Sequence, residues 1–209
     1  MQILELALLV LALAAALSLR PWRMLAAGRL LGPVLATLVL LPWMWALPAL
    51  HPMPLSLRWS GACLVLLMLG WPLAVPALLG VALLAGAIGG LAPAEMLSLA
   101  FWQGVLPATL ALAVGWTVRR CLPRNPFVYI LGRAFFGTLL CAFAAAWLSH
   151  LVPSGPPEPT TIDTLASNVA LWLMAWSDGI VTGMLVAVFV AFRPEWLATW
   201  SDRHYLSRT

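Results

Sequence analysis

The chain has 209 residues, of which 63% are hydrophobic and 9% charged, and its mean hydropathy is +0.99. Soluble domains average about 25% charged residues, so this composition excludes a water-soluble globular protein and makes the bilayer its solvent. The formal charge of +4 comes from 11 basic residues, all arginine; they form short clusters between apolar runs, which argues against nucleic acid and fits the positive-inside pattern.

A hydrocarbon core about 30 Å thick needs about 20 helical residues, and six to seven segments qualify, two of them short. The first runs from Ile3 to Leu19. Glu5 precedes its apolar stretch while Arg20, Arg23 and Arg29 follow it, the reverse of a secretory signal. A retained helix with its N-terminus outside is expected. The second segment runs from Leu30 to Leu50. Pro52 and Pro54 then break the chain into a loop, followed by a short apolar piece from Trp59 to Leu69. Gly70-Trp71-Pro72 interrupts it, since proline lacks an N–H and suits a first helical turn, and a further piece extends from Leu73 to Leu91. Ala92-Pro93-Ala94-Glu95 opens the next segment, which ends near Val118. Arg119 to Pro126 is a polar turn, Phe127 to Leu151 a further span, and residues 152–164 a Pro- and Thr-rich polar loop. The last span covers Leu165 to Phe192, ahead of the tail RPEWLATWSDRHYLSRT.

The arginines orient these segments. Arg20, Arg23 and Arg29 mark one inside loop, Arg119, Arg120 and Arg124 a second, and Arg193, Arg203 and Arg208 an inside tail; the 152–164 loop carries only Glu158 and Asp163 and lies outside. The assignments agree if residues 59–91 leave the outer face and return to it, as two thin spans or as a re-entrant hairpin. The expected architecture is an all-α polytopic bundle, residues 1–209 forming a single integral membrane domain, N-terminus outside and C-terminus inside. Trp22, Trp71, Trp116, Trp196 and Trp200 near segment ends fit interfacial anchoring.

Asp178 stands out among the polar residues. It lies about 12 residues and so about 18 Å into the last span, near the midplane, with no basic residue near it in sequence. An intramembrane carboxylate faces the bundle interior or a water-filled cavity and marks a candidate site; the alternative is a neutral aspartic acid bonded to a neighbouring backbone. Gln103 in the fifth segment, Asn168 near the outer end of the last span and Arg58 ahead of the short helix complete the candidate substrate-binding set. His51, His150 and His204 flank loops or lie in the tail and read as solvated. Cys63, Cys121 and Cys141 form no metal-ligand spacing and read as packing residues. Gly179/Gly183 and Gly86/Gly90 have the spacing of close helix approach, as do Ala12/Ala16. No HExxH, GxSxG or P-loop is present, so no enzyme activity, cofactor or metal site is expected, and an ATP-driven role would need a separate ATPase chain.

Two stretches carry a family likeness. Ser177-Asp178-Gly179-Ile180-Val181-Thr182-Gly183, with Arg193-Pro194-Glu195 after it, resembles the Gly-Glu-Gly-Leu-Ile-Thr-Gly run and closing Arg-Pro-Asp of the cobalt/nickel permeases of energy-coupling-factor (ECF) transporters, the CbiM/NikM type; Asp178 stands where that family has Glu. Arg58-Trp59-Ser60-Gly61 through Gly70-Trp71-Pro72 is similar to the family's His-Leu-Leu-Gly helix ending in Gly-Pro. A bacterial branch of these permeases is closer still, through Pro123 to Ile130 and Phe192 to Trp196. The likeness runs from Leu30 to Leu206. It implies a substrate-binding subunit in the bacterial inner membrane that hands a transition metal to a transmembrane coupling protein driven by ATPase subunits. In metal-binding members the ligands are the N-terminal amine, a His at the second residue and the His opening the short helix. Here those places hold Gln2 and Arg58. Imidazole is a good donor for nickel or cobalt, whereas guanidinium has no lone pair to give. The resemblance therefore carries the scaffold and not the metal site. Two other readings stand beside it: a non-transporting assembly or regulatory protein that keeps the fold, and a proton-coupled carrier using Asp178.

Overall fold

A chain this apolar can cross a bilayer only in helices or a closed barrel, because lipid satisfies no backbone N–H or C=O. A computed structural model describes residues 2–26, 28–51, 59–123, 125–152 and 164–201, and every regular element among them is helical. Arg58, Arg124, the 153–163 loop and the tail from residue 202, with His204, Arg203 and Arg208, lie outside the described residues.

Helix α1 spans Gln2–Ser18, the short α2 Trp22–Leu25 and α3 Leu31–Leu50. Next come α4, Ala62–Leu69, and α5, Trp71–Gly89. Helices α6 (Pro93–Leu99) and α7 (Leu106–Cys121) are joined without a break by a π-helical segment, Ala100–Val105. A second π segment, Val128–Phe136, leads into α8, Gly137–Leu151. Helix α9, Thr164–Phe192, is followed by a 3-10 turn at Pro194–Trp196. Among the described residues, five helices are long and apolar enough to cross a membrane: Leu31–Leu50, Trp71–Gly89, Pro93–Cys121, Val128–Ser149 and Asn168–Phe192. The α1 helix, with 17 residues, falls just short of that length.

The largest departure from expectation lies in residues 59–91. The break comes at Gly70, as its sequence suggests, with φ 73 and Pro72 in the first turn of the next helix. The two pieces are not a matched thin pair. Helix α4 has 8 residues, about 12 Å of rise, whereas α5 has 19 and is a full-length helix. All eight residues of α4 are buried. It is a half-length helix enclosed on every side, packed against α3, α5, α7, α8 and α9.

Helix α5 packs against α3, α1 and the first π segment, and the core is centred on α4 and α5. Large apolar side chains on α3 (Leu40, Trp43) and on α9 (Leu173, Met184, Phe192) remain exposed; in water they would form an aggregation-prone surface, and in lipid they are the solvated face. Gly179 and Gly183 set α9 onto the end of the second π segment, just ahead of α8: a Cβ on Gly179 would lie 3.2 Å from the Phe135 carbonyl oxygen, and one on Gly183 3.2 Å from Phe135 Cβ. The second GxxxG pair differs, since Gly86 faces the Met96 side chain while Gly90 takes the left-handed conformation, φ 64, that ends α5. Arg133, which loop counting overlooks, lies buried within the second π segment with its guanidinium against Gly115.

Candidate functional site: a half-helix held at both ends

Helix α4 begins and ends inside the protein, so the backbone groups at both termini need partners other than water. At the N-terminal end they come from three other parts of the chain. Asp178 on α9 is 3% exposed. Its Oδ2 accepts the Ser60 N–H at 3.2 Å and its Oδ1 the Gly61 N–H at 3.1 Å. The carboxylate thus sits at the positive end of α4, where the helix dipole favours an anion. Gly61 adopts φ 63 there, a conformation costly for other residues, and Leu41 and Trp59 leave no room for a Cβ.

The carbonyls of this non-helical segment and the Ser60 hydroxyl are paired as well, while the Trp59 indole N–H is buried without a hydrogen bond. The Trp45 indole donates to the Ser60 carbonyl at 2.9 Å, and Gln103 Nε2 donates to the Trp59 carbonyl at 2.9 Å. The Ser60 hydroxyl donates to the Gln103 carbonyl at 2.7 Å and accepts the Ala62 N–H at 3.2 Å. The Gln103 carbonyl is available for a local reason. Its i+4 partner is Pro107, which has no N–H, and the π-helical winding of Ala100–Val105 shifts the ladder beside it. Proline thus vacates an acceptor on one helix, and serine on another segment fills it. Cys63 Sγ contacts the Pro107 carbonyl at 3.7 Å.

The C-terminal end is closed by the chain that follows α9. Ala198 N–H donates to the Met68 carbonyl at 2.9 Å, and the Thr199 hydroxyl to the Leu67 carbonyl at 2.8 Å. Tyr129 and Thr199 share a further bond of 2.8 Å between their hydroxyls; since the Thr199 proton is used on Leu67, Tyr129 is the donor. A single stretch, from Asp178 to Thr199, therefore spans α4 from end to end.

Of the sequence-derived candidates, Asp178 and Gln103 meet on residues 59–61. Asn168 does not join them: it is exposed near the start of α9. Arg58 lies outside the described residues. Asp178 has no ion-pair partner among the described residues, and no group of three or more His, Cys, Asp or Glu among them could hold a metal ion. Sequence reading missed the parts of the site supplied by Ser60 and Thr199, which look like unremarkable small polar residues. It also missed the neighbours of Cys63: Thr138 and Cys141 lie beside its thiol, and Asp178 is near enough to act on it electrostatically. Thr182 and Gln103 each have a side-chain oxygen that is buried and makes no hydrogen bond, and the Thr138 hydroxyl meets the Cys63 sulfur. A second carboxylate, Glu5, is 4% exposed and accepts the Trp102 indole N–H at 3.0 Å; its position in the sequence suggested only a charge ahead of the first helix. Comparison with family models, with curated proteins and with solved structures gives no match. Helix length and hydropathy identify the chain as a multi-span helical membrane protein.

Proposed function

We propose that the chain is the membrane permease, or substrate-binding subunit, of an ECF-type transporter, nominally of the cobalt/nickel class with a degenerate metal site. The observation that carries this reading is the half-helix α4 with its N-terminus buried against a carboxylate. Discontinuous helices whose ends meet polar groups inside the membrane are the usual framework of transporter binding sites. The two stretches that resemble the family, 58–72 and 177–183, are far apart in sequence and are joined here by the Asp178 bonds to Ser60 and Gly61. In this reading the N-terminus is outside and the C-terminus inside, in a bacterial inner membrane. The partners are a transmembrane coupling protein and ATPase subunits. Purification from native membranes at native levels tests it: co-purifying ATPase and coupling chains support the reading, and their absence under conditions that retain other multi-subunit transporters overturns it.

One observation favours a second reading, a non-transporting assembly or regulatory protein. Both Asp178 oxygens are already engaged in holding α4, which is sufficient structural reason for an aspartate. Asp178→Asn separates the two. In the permease it abolishes uptake while the protein still inserts and folds; in the structural reading it changes stability and nothing else. A proton-coupled carrier would lose uptake in the same variant but retain no ATPase partner.

A further inference from the structure

Asp178 brings one negative charge into the core with no positive side chain bonded to it among the described residues. An uncompensated charge at such a place is costly, and two backbone N–H groups carry only partial charge. Next to it are hydroxyls with no oxygen partner. Thr182, 0% exposed, is one helical turn on from Asp178 and shares its face of α9. Thr138, 1% exposed, is on α8 at the level of Asp178: a Cβ on Gly179 would lie 3.3 Å from Leu139 Cβ, which places the 138–139 and 178–179 pairs side by side. Thr138 also lies beside Cys63, two residues beyond the Gly61 N–H that Asp178 accepts.

Neither hydroxyl has an oxygen partner: that of Thr182 makes no hydrogen bond and that of Thr138 meets the Cys63 sulfur; other threonines show that this is not forced on a helical threonine. Thr37 and Thr117 donate to the carbonyls four residues back, Pro33 at 2.8 Å and Ala113 at 3.0 Å, and Thr109 donates to Leu106 at 2.8 Å. That local bond is the ordinary resting place of a hydroxyl in a helix. Buried polar atoms without partners call for a specific explanation, an ion among them. A set of one carboxylate and neutral hydroxyl oxygens suits a hard cation. One carboxylate balances one charge and would leave a divalent ion uncompensated.

We infer that Asp178, Thr182 and Thr138 form a binding site for a single Na+ ion beside the N-terminus of α4. The ion neutralises the carboxylate without withdrawing it from the Ser60 and Gly61 N–H groups, since each carboxylate oxygen has a second lone pair. Occupancy ties α8 and α9 to the first turn of α4. This depends on no ATPase or coupling partner, so it stands or falls separately from the permease reading.

The test is thermal unfolding of the purified full-length protein in detergent, with NaCl exchanged for choline chloride at constant ionic strength. Na+ should raise the unfolding temperature saturably, by about 5 °C or more at a hundredfold excess over its dissociation constant. Thr182→Val and Thr138→Val should each move the Na+ midpoint at least tenfold higher, and Asp178→Asn should abolish the response. Thr182→Ser keeps the oxygen and should keep the response, so a failure of the valine variants to fold leaves the serine variant and the wild-type titration decisive. If the hydroxyls only pack, the valine variants will be as stable or more stable in both salts, with the Na+ response unchanged; that result overturns the site. So does equal stability in sodium and choline, or stabilisation that follows pH alone, which would mean that the carboxylate takes only a proton.

Discussion

Replacing Ser60 with Ala removes one oxygen and leaves two backbone groups without partners, the Gln103 carbonyl and the Ala62 N–H. No charge changes and the cavity is about one atom, so polar satisfaction dominates the effect. A buried backbone group left unpaired costs about 1–3 kcal/mol, which sets an upper range of about 2–6 kcal/mol for the pair. Hydrogen bonds between membrane helices average about 0.6 kcal/mol, because the unfolded chain in a membrane finds other partners; that sets a floor of about 1.2 kcal/mol. The Gln103 carbonyl is a poor candidate for such replacement in an α-helix, since Pro107 denies it the i+4 bond. We therefore expect a loss of about 1.5–4 kcal/mol, read by reversible unfolding in mixed micelles. Restoring the missing donor supplies the control. Pro107→Ala offers the Gln103 carbonyl an N–H from its own helix, so the double variant should lose less than the sum of the single ones. A Ser60→Ala cost below about 0.5 kcal/mol, or strict additivity with Pro107→Ala, would refute the pairing of the vacated carbonyl with the serine.

The other predictions use residues already present. Cys121 is exposed within the second arginine cluster while Cys63 and Cys141 are buried, so a membrane-impermeant maleimide should label one site, and only after the cells are opened; labelling of intact cells would reverse the proposed orientation. Gly61→Ala meets both a positive φ and the Leu41 and Trp59 side chains and should cost about 2 kcal/mol or more. Gly86→Ala sets a Cβ against Met96 Cγ, Sδ and Cε and should cost about 1–3 kcal/mol; Met96→Ala in the same chain should recover part of that loss, and strict additivity of the two in an unfolding assay would contradict the packing. Cobalt or nickel titrated into the purified protein should show no tight site; stoichiometric submicromolar binding by calorimetry would contradict the reading of Gln2 and Arg58.

The membrane class, the long spans and the break at Gly70 were legible in the sequence because each rests on local chemistry: apolar length, proline's missing N–H, and glycine's access to positive φ. Asp178 was legible as an anomaly, a carboxylate where none is cheap. Its role was not, because Ser60 and Gly61 lie 118 and 117 residues away and nothing local marks a backbone N–H as needing a distant acceptor. Arg133 and Glu5 were hidden for a related reason: charge counting treats such residues as loop or terminal groups, whereas here Trp102 and the Gly115 surface receive them. The half-length α4 was ambiguous because Trp59 to Leu69 is apolar apart from Ser60, and apolarity alone does not say where the first helical turn begins.

The closure of α4 by residues 178–199 has a consequence for biosynthesis. The half-helix leaves the ribosome more than 100 residues ahead of both the acceptor for its first N–H groups and the donors for its last carbonyls. At about 5–20 residues per second it waits roughly 6–24 s with both ends unpaired, too short to span the bilayer and too apolar to remain in water. Membrane insertion of this chain therefore cannot finish helix by helix from the N-terminus. The interior closes only when the final span arrives, and a chain truncated anywhere before Thr199 presents the quality-control proteases with an open core.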